Sequence, residues 1–246
     1  MIETNNPFDQ LAAEYDAYRS GYSRTLYDVL EEYGFKAGSS VLDVACGTGM
    51  ASEPLLKRGL KVTGVDVSEA MLERARIRLK EAKLVTGNAE DLPFKDGSFD
   101  AVVCAQAIHW MDHPKALAEM SRVVVPKGGR VAIWVKKMVT DEPLRALRAQ
   151  ASRSVGVEPP ADIMAKGFRA FYQHPFKQHH LRVVPHVIMT DVDRWLGYER
   201  SRARKSHYGA KFDAYLEALE KIMRETAVAG KPFQVRHSQF LYIGEV

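Results

Sequence analysis

Cysteine is nearly absent from this sequence, with two residues, Cys46 and Cys104, in 246. Both fall in apolar, strand-end contexts, so neither a disulfide framework nor a zinc spacing exists, and a reducing cytoplasm is the expected compartment. Long apolar runs are lacking too. None approaches the roughly 18 residues of a membrane span. The opening residues Met1-Ile2-Glu3-Thr4-Asn5 contain no basic region followed by an apolar core, so no signal peptide is expected. There is no internal repeat and no low-complexity tract. Charge of one sign is also scarce. The formal net charge is +4, too weak to demand a nucleic-acid partner. What charge there is lies unevenly. Residues 1–138 carry 18 Lys/Arg against 19 Asp/Glu, and residues 139–246 carry 17 against 12. The positive second half fits an anionic substrate. His174, His179, His180, His186, His207 and His237 lie there as well, but no cysteine or carboxylate spacing joins them, and no metal is expected.

What is present is a composition that can build a core, 46% hydrophobic and 27% charged. The most informative stretch is Val41-Leu42-Asp43-Val44-Ala45-Cys46-Gly47-Thr48-Gly49. Its apolar start reads as a buried strand of a parallel sheet. Two glycines then permit unusual backbone angles and clear side chains from one surface. Met50 to Arg58 read as a helix. Strand, glycine turn and helix form the ligand-binding corner of an open α/β sheet. The pattern departs from the dinucleotide fingerprint. Its third glycine would fall at Ser52, and Asp43 inside the strand would repel a pyrophosphate but suits an ammonium.

Further strands follow at regular spacing, interleaved with helices: Leu60 to Asp66, Lys83 to Thr86, Phe99 to Gln106 and Arg130 to Val135. That alternation predicts a doubly wound parallel sheet with right-handed crossovers. Asp66 ends the second strand 17 residues after Gly49, where a carboxylate can accept two ribose hydroxyls. Ser68 reads as the cap of the next helix. Ligands bind beyond the carboxyl ends of such strands, which puts His109 and Trp110 at the site. An imidazole titrating near neutrality makes His109 the candidate general base or orienting group. A core histidine beside a packed tryptophan is the competing reading.

Val-Leu-Asp-Val-Ala-Cys-Gly-Thr-Gly resembles motif I of the class I S-adenosylmethionine-dependent methyltransferases. Three further segments carry the same resemblance in order. They are Gly87-Asn88-Ala89-Glu90-Asp91-Leu92-Pro93-Phe94, Gln106-Ala107-Ile108-His109-Trp110 and Pro126-Lys127-Gly128-Gly129. Together with Tyr15-Asp16-Ala17-Tyr18-Arg19, they are similar to the ubiquinone/menaquinone biosynthesis group of small-molecule methyltransferases. The resemblance covers about 130 residues and implies a Rossmann-like fold and S-adenosyl-L-methionine as cofactor. It implies a cofactor site drawn from Tyr15, Arg19, Asp43, Ala45, Gly47, Gly49, Asp66, Val67, Met71, Asn88, Ala89, Glu90, Ala105 and Gln106. Arg19 would meet the cofactor carboxylate. Asn88, where the family has aspartate, would offer its carbonyl to the adenine amino group, and Ala89 its N–H. Substrate would meet Tyr18, Tyr22, His109 and Trp110. The expected reaction is methyl transfer to a small-molecule acceptor, at oxygen of a carboxylate or phenol, or else at carbon or nitrogen. A noncatalytic cofactor-binding module, an RNA methyltransferase and an NAD-dependent oxidoreductase are the rivals. Nucleic acid and membrane are not expected partners.

The segment Tyr15 to Tyr22 reads either as an amphipathic cap with half-buried tyrosines or as a lid over the ligand. Residues 141–175 read as helical and broken by prolines. Residues 181–190 and 232–243 read as the sixth and seventh strands, which in the family form an antiparallel pair at the sheet edge. Pro185 marks a bulge or an edge. Arg200-Ser201-Arg202-Ala203-Arg204-Lys205 reads as a solvated helix end, with contact to an anionic substrate as the alternative. The whole is expected to be one methyltransferase domain. Its parts would be an N-terminal helical lid (1–36), a cofactor-binding core (37–138), a helical cap (139–178) and a C-terminal sheet edge with helices (179–246).

Overall fold

The computed structural model describes residues 8–140, 142–160, 165–202, 204–226 and 231–246. In chain order the elements begin with α1 (Ala12–Tyr18), α2 (Arg24–Glu32), β1 (Ser40–Val44), α3 (Ser52–Lys57) and β2 (Lys61–Asp66). Next come α4 (Glu69–Arg78), β3 (Lys83–Thr86), β4 (Ala101–Ala105), α5 (His113–Arg122) and β5 (Arg130–Met138). They are followed by α6 (Pro143–Ser154), α7 (Ala165–Gln173), β6 (Gln178–Thr190), α8 (Val192–Arg200), α9 (Lys205–Tyr208), α10 (Phe212–Arg224) and β7 (Phe233–Glu245).

The seven strands make one sheet in the order β3-β2-β1-β4-β5-β7-β6. The first five are parallel, with Leu42 of β1 level with Thr63 of β2 and Val102 of β4. Strand order reverses between β1 and β4, which makes the crevice at their carboxyl ends the topological switch point. β7 runs the other way. Val139 donates its N–H to Arg236 at one end of the β5–β7 pair, and Val246 donates to Gly129 at the other. The sheet is therefore the mainly parallel, doubly wound arrangement the alternation predicts, closed by antiparallel edge strands.

Two compact units make up the chain. The sheet unit comprises Gly21–Lys136, Ile163–Val184 and Gln239–Val246. The helical unit comprises Met1–Ser20, Lys137–Asp162 and Pro185–Ser238. The expected lid, residues 1–36, is thus divided, with α1 in the helical unit and α2 in the sheet unit.

Inside the sheet unit, strands buried on both faces separate two apolar clusters. Leu42, Val44, Val102 and Cys104 face one cluster, filled by Ile108, Leu117 and Met120. Val41, Val103, Ala132 and Trp134 face the other, filled by Leu26, Tyr27, Leu30 and Leu55. The helices enter this layer at fixed points. Ser68 caps α4 by accepting the N–H of Met71, and Asp112 caps α5 by accepting that of Lys115. The helical unit has its own core of Leu144, Trp195, Leu196, Tyr215, Leu219 and Val235. There Gly197, in the middle of α8, leaves the space that the ring of Tyr18 occupies; a Cβ would lie 2.2 Å from that ring. Among the described residues no helix is long and apolar enough to cross a membrane.

Candidate active site

β1 ends at Val44, and the chain then turns through Ala45 at φ 55° and Gly47 at φ 54°. A left-handed alanine costs of the order of 1–2 kcal/mol. Gln106, at the carboxyl end of the neighbouring β4, is left-handed as well, at φ 59°. Two non-glycine residues in this conformation, side by side at the switch point, mark backbone shaped for something other than strand continuation. The surroundings hold Gln106 in place. The N–H of Gln106 donates to Trp134 O at 2.8 Å and its Nε2 to Lys136 O at 3.3 Å.

The two glycines of the loop do different work. At Gly47 an added Cβ would meet nothing within 4 Å, so the bare backbone faces open space. At Gly49 (φ 81°) a Cβ would lie 2.6 Å from the Leu79 side chain, so that glycine lets the loop close on the end of α4.

Asp66, at the end of β2, binds the loop directly. Its Oδ2 accepts the N–H of Gly47 at 2.8 Å and its Oδ1 that of Ser68 at 2.9 Å. One carboxylate thus ties the glycine loop to the start of α4, while each oxygen keeps acceptor capacity. Asp43 is fully buried. Its Oδ2 accepts the hydroxyl of Ser52 at 2.6 Å, and its Oδ1 has no hydrogen-bond partner. Burial pushes its pKa up, the Ser52 bond pulls it down and the charge of Asp66 raises it again, leaving it at about 7. A buried, half-satisfied acid of this kind suits a cationic partner.

Further along, Val67 is exposed and Met71 buried, the latter in the first turn of α4. Asn88 turns its side-chain carbonyl to the N–H of Glu90 at 3.1 Å, a local Asx turn. Ala89 is buried beneath it. Glu90 accepts the N–H of Asp112 at 2.7 Å and so ties this loop to the start of α5. Ala105 is half-buried at the end of β4. His109 lies in a 3-10 turn, Ile108–Trp110, its ring 5.1 Å from that of Trp110. Trp110 is 51% exposed. Tyr22 packs edge-on to Trp134 at 5.5 Å, with the Lys136 ammonium 5.6 Å from its ring centre. All these residues belong to the sheet unit.

Tyr15, Tyr18 and Arg19 belong to the helical unit. There the Arg19 guanidinium donates to Ser201 Oγ at 3.1 Å and to Ser201 O at 3.2 Å. It also lies over the rings of Tyr15 (4.6 Å) and Tyr198 (4.8 Å). The basic run 200–205 is only in part the solvated helix end expected from its composition: Arg200 and Lys205 are exposed. α8 stops at Arg200, and Arg202 turns back to the fully buried Glu199, 3.6 Å away. The reason is Glu199 itself, a carboxylate that burial would otherwise leave uncompensated.

Several supporting residues carry no local signal in the sequence. Ser52, noticed there only as a missing glycine, holds Asp43. Arg78 donates to Thr48 O at 3.0 Å and pairs with Glu53, bracing the glycine loop from α4. On α5, Glu119 accepts the N–H of Leu92, while Arg122 donates to Leu92 O and Phe94 O. That i, i+3 pair fixes the loop that follows β3.

Comparison with known proteins agrees with this geometry. Residues 42–133 match the family described as "Methyltransferase domain". A demethylmenaquinone methyltransferase from Renibacterium salmoninarum is 35% identical over 179 residues, 67% of this chain and 75% of its own length. The structure of a protein assigned as a type II methyltransferase from Anaeromyxobacter dehalogenans superposes with a TM-score of 0.73 at 23% identity, covering 93% of this chain and 98% of that one. Phosphoethanolamine N-methyltransferase 2 of Haemonchus contortus was solved with S-adenosylhomocysteine. It superposes at 0.55 and 18% identity, over 96% of this chain and 57% of that one. With its strand order, its glycine corner and a relative matched over three quarters of that relative's length, the chain belongs to the class I S-adenosylmethionine-dependent methyltransferases.

Proposed function

We propose that the chain binds S-adenosylmethionine at the carboxyl ends of β1, β2 and β3 and transfers its methyl group to an oxygen of a small, planar acceptor of the phenol, quinol or carboxylate kind. One observation carries the cofactor reading. The bare backbone of Gly47 faces open space beside Asp66, a carboxylate already anchored by loop N–H groups, and Asp43, four residues earlier, is buried with an oxygen that has no partner among the described residues. Asp66 would take the ribose hydroxyls, Asp43 would answer the ammonium, and the Asn88–Ala89 turn would meet the adenine edge. Val67 and Met71 would line the ribose side, and Ala105 and Gln106 the floor. When bound, the cofactor supplies a methyl group on a positive sulfur, a strong electrophile. The protein's share is alignment, worth up to ~7–11 kcal/mol when reacting atoms are held in line. His109 would take the proton that a hydroxyl acceptor loses as the new C–O bond forms. Trp110, largely exposed beside it, would offer a flat face to the acceptor ring. The names of the relatives, demethylmenaquinone methyltransferases, support a quinone-type ring in the acceptor.

Titration calorimetry with S-adenosylmethionine tests the first half, with micromolar binding expected. No heat at millimolar cofactor would defeat the cofactor site. For the second half, release of S-adenosylhomocysteine is followed over a panel of naphthols, phenols and carboxylic acids. His109→Ala should lower kcat about 10²–10⁴-fold on the accepted substrate; an unchanged kcat would remove His109 as base.

A further inference from the structure

The helical unit buries far more positive than negative charge around one residue. Glu199 is 0% exposed. Arg148 Nε stands 3.0 Å from its Oε1 and Arg202 Nη1 3.6 Å from the same atom. The Tyr215 hydroxyl donates to Oε2 at 3.2 Å. Arg204 acts on this group at longer range. It makes no hydrogen bond or ion pair through its side chain among the described residues. One carboxylate therefore faces three guanidinium groups, and Arg19 adds a fourth that packs on the ring of Tyr198. The imbalance shows in how the groups hold their protons. Burial pushes Arg202 and Arg204 down, Arg204 to about 10, and the neighbouring arginines push the same way. A surplus of desolvated cation is costly unless a counter-ion arrives.

The surplus lies against a cavity. Arg19 and Arg202 both contact the ring of Tyr198, at 4.8 and 5.5 Å. That ring lines a cavity of about 380 Å³ in the same unit. Its walls include two more aromatic residues, Tyr18 and Trp195, and one more cation, Arg194. No carboxylate lines it. Arg194 is exposed, and its guanidinium has no ion pair among the described residues. Trp195, 1% exposed, forms a closed part of the wall.

We propose that this cavity is a binding site for a planar organic carboxylate. Its ring lies between the aromatic walls, and its charge answers Arg194 in the wall and, at longer range, the arginines that contact Tyr198. The cavity lies at the small end of the range for ligand pockets, which sets the size at one or two fused rings. Aromatic walls and a guanidinium fork favour a flat anion over a tetrahedral one. The site goes beyond methyl transfer, since it requires only binding and stands whether or not its ligand accepts a methyl group.

The test uses the full chain with 2-naphthoate as probe and 2-naphthamide as its uncharged isostere. Binding is followed by calorimetry and by tryptophan fluorescence. Naphthoate should bind and the amide at least tenfold more weakly. Arg194→Gln, at an exposed position that leaves the core intact, should weaken naphthoate binding about tenfold. The proposal is overturned if neither probe binds at millimolar concentration, or if the amide binds as tightly as the acid. It is overturned too if Arg194→Gln binds naphthoate unchanged, or if equimolar inorganic phosphate displaces it.

Discussion

Replacing Asp43 by asparagine tests whether the acid beneath the glycine loop is held against its preference for water. Asp43 has no exposed surface, and its pKa stands at about 7. In the unfolded chain the same group titrates near its ordinary value of about 3.9. The folded state therefore binds the proton more tightly. The stability this contributes is complete below about pH 4 and is lost as pH rises through about 7. Three units of difference amount to ~4 kcal/mol at most, of which about 2–3 kcal/mol falls between pH 5 and pH 8. Asparagine cannot ionise, yet its carbonyl can still accept the Ser52 hydroxyl. Its extra N–H₂ has a cost, but that cost does not vary with pH. The informative quantity is thus the stability difference between variant and parent. It should move about 2–3 kcal/mol in favour of the variant from pH 5 to pH 8, or about 5–10 °C in Tm for a chain of this length. Calorimetric unfolding of both ligand-free proteins at pH 5, 6, 7 and 8 measures it. Parallel Tm profiles would refute the reasoning. The same argument extends to the cofactor. A cation arriving at Oδ1 lowers the pKa of Asp43, so binding near pH 6.5 should release protons, seen as a heat that depends on the buffer's ionisation enthalpy and is missing in Asp43→Asn.

The two glycines should separate binding from folding. Gly47→Ala puts a methyl group into open space and should cost only about 1 kcal/mol of stability while weakening S-adenosylmethionine at least tenfold. Gly49→Ala drives a methyl group into Leu79 and should cost about 1–3 kcal/mol; chemical denaturation and calorimetry on both variants check the contrast. In the helical unit, Glu199→Gln removes the carboxylate that, among the described residues, answers three guanidiniums, and should destabilise by about 3–5 kcal/mol. Burial alone would raise the Glu199 pKa, but Arg148, Arg202 and Arg204 outweigh it and hold the carboxyl below its usual range. The stability it contributes is present above the unfolded value of about 4.3 and is lost as pH falls through the lower folded value. Acid unfolding should therefore set in at higher pH for the parent, relative to its own neutral stability, than for the glutamine variant.

How much of this was legible in the sequence depended on whether a contact is local. Strands buried on both faces read as short apolar runs, and so the succession of β1 to β5 along the chain, though not their order in the sheet, followed from spacing. The cap at Ser68 is local too, since its side chain meets an N–H three residues on. Asp43 and Asp66 could be singled out because their distance from the glycines is fixed along the chain. What Asp66 does with its two oxygens could not. The sequence suggests a carboxylate free for a ligand, whereas both oxygens already hold main-chain N–H groups, so any ribose would share them. The left-handed turns at Ala45 and Gln106 left no trace, because neither residue type asks for that conformation. Only the packing of β4 against β5, through Trp134 O and Lys136 O, imposes it on Gln106.

The basic run after α8 shows the same limit from the other side. Composition gives a string of arginines on a polar surface, for which solvation is the ordinary outcome. Two facts distant in sequence reverse that outcome. Arg148, on α6, meets the same buried carboxylate 51 positions away, and Arg19, on the segment after α1, covers Tyr198 and holds Ser201. Once Glu199 is buried, each arginine that approaches it is drawn out of water. After the first, each adds repulsion that one carboxylate cannot cancel. An arrangement with more cations than its acid can serve is retained most readily where an anion completes it. The neighbouring cavity, walled by Tyr18, Trp195 and Tyr198 with Arg194 and no acid, offers such an anion a place. A flat carboxylate suits both, since it brings a negative charge for the guanidiniums and a planar group for the aromatic walls.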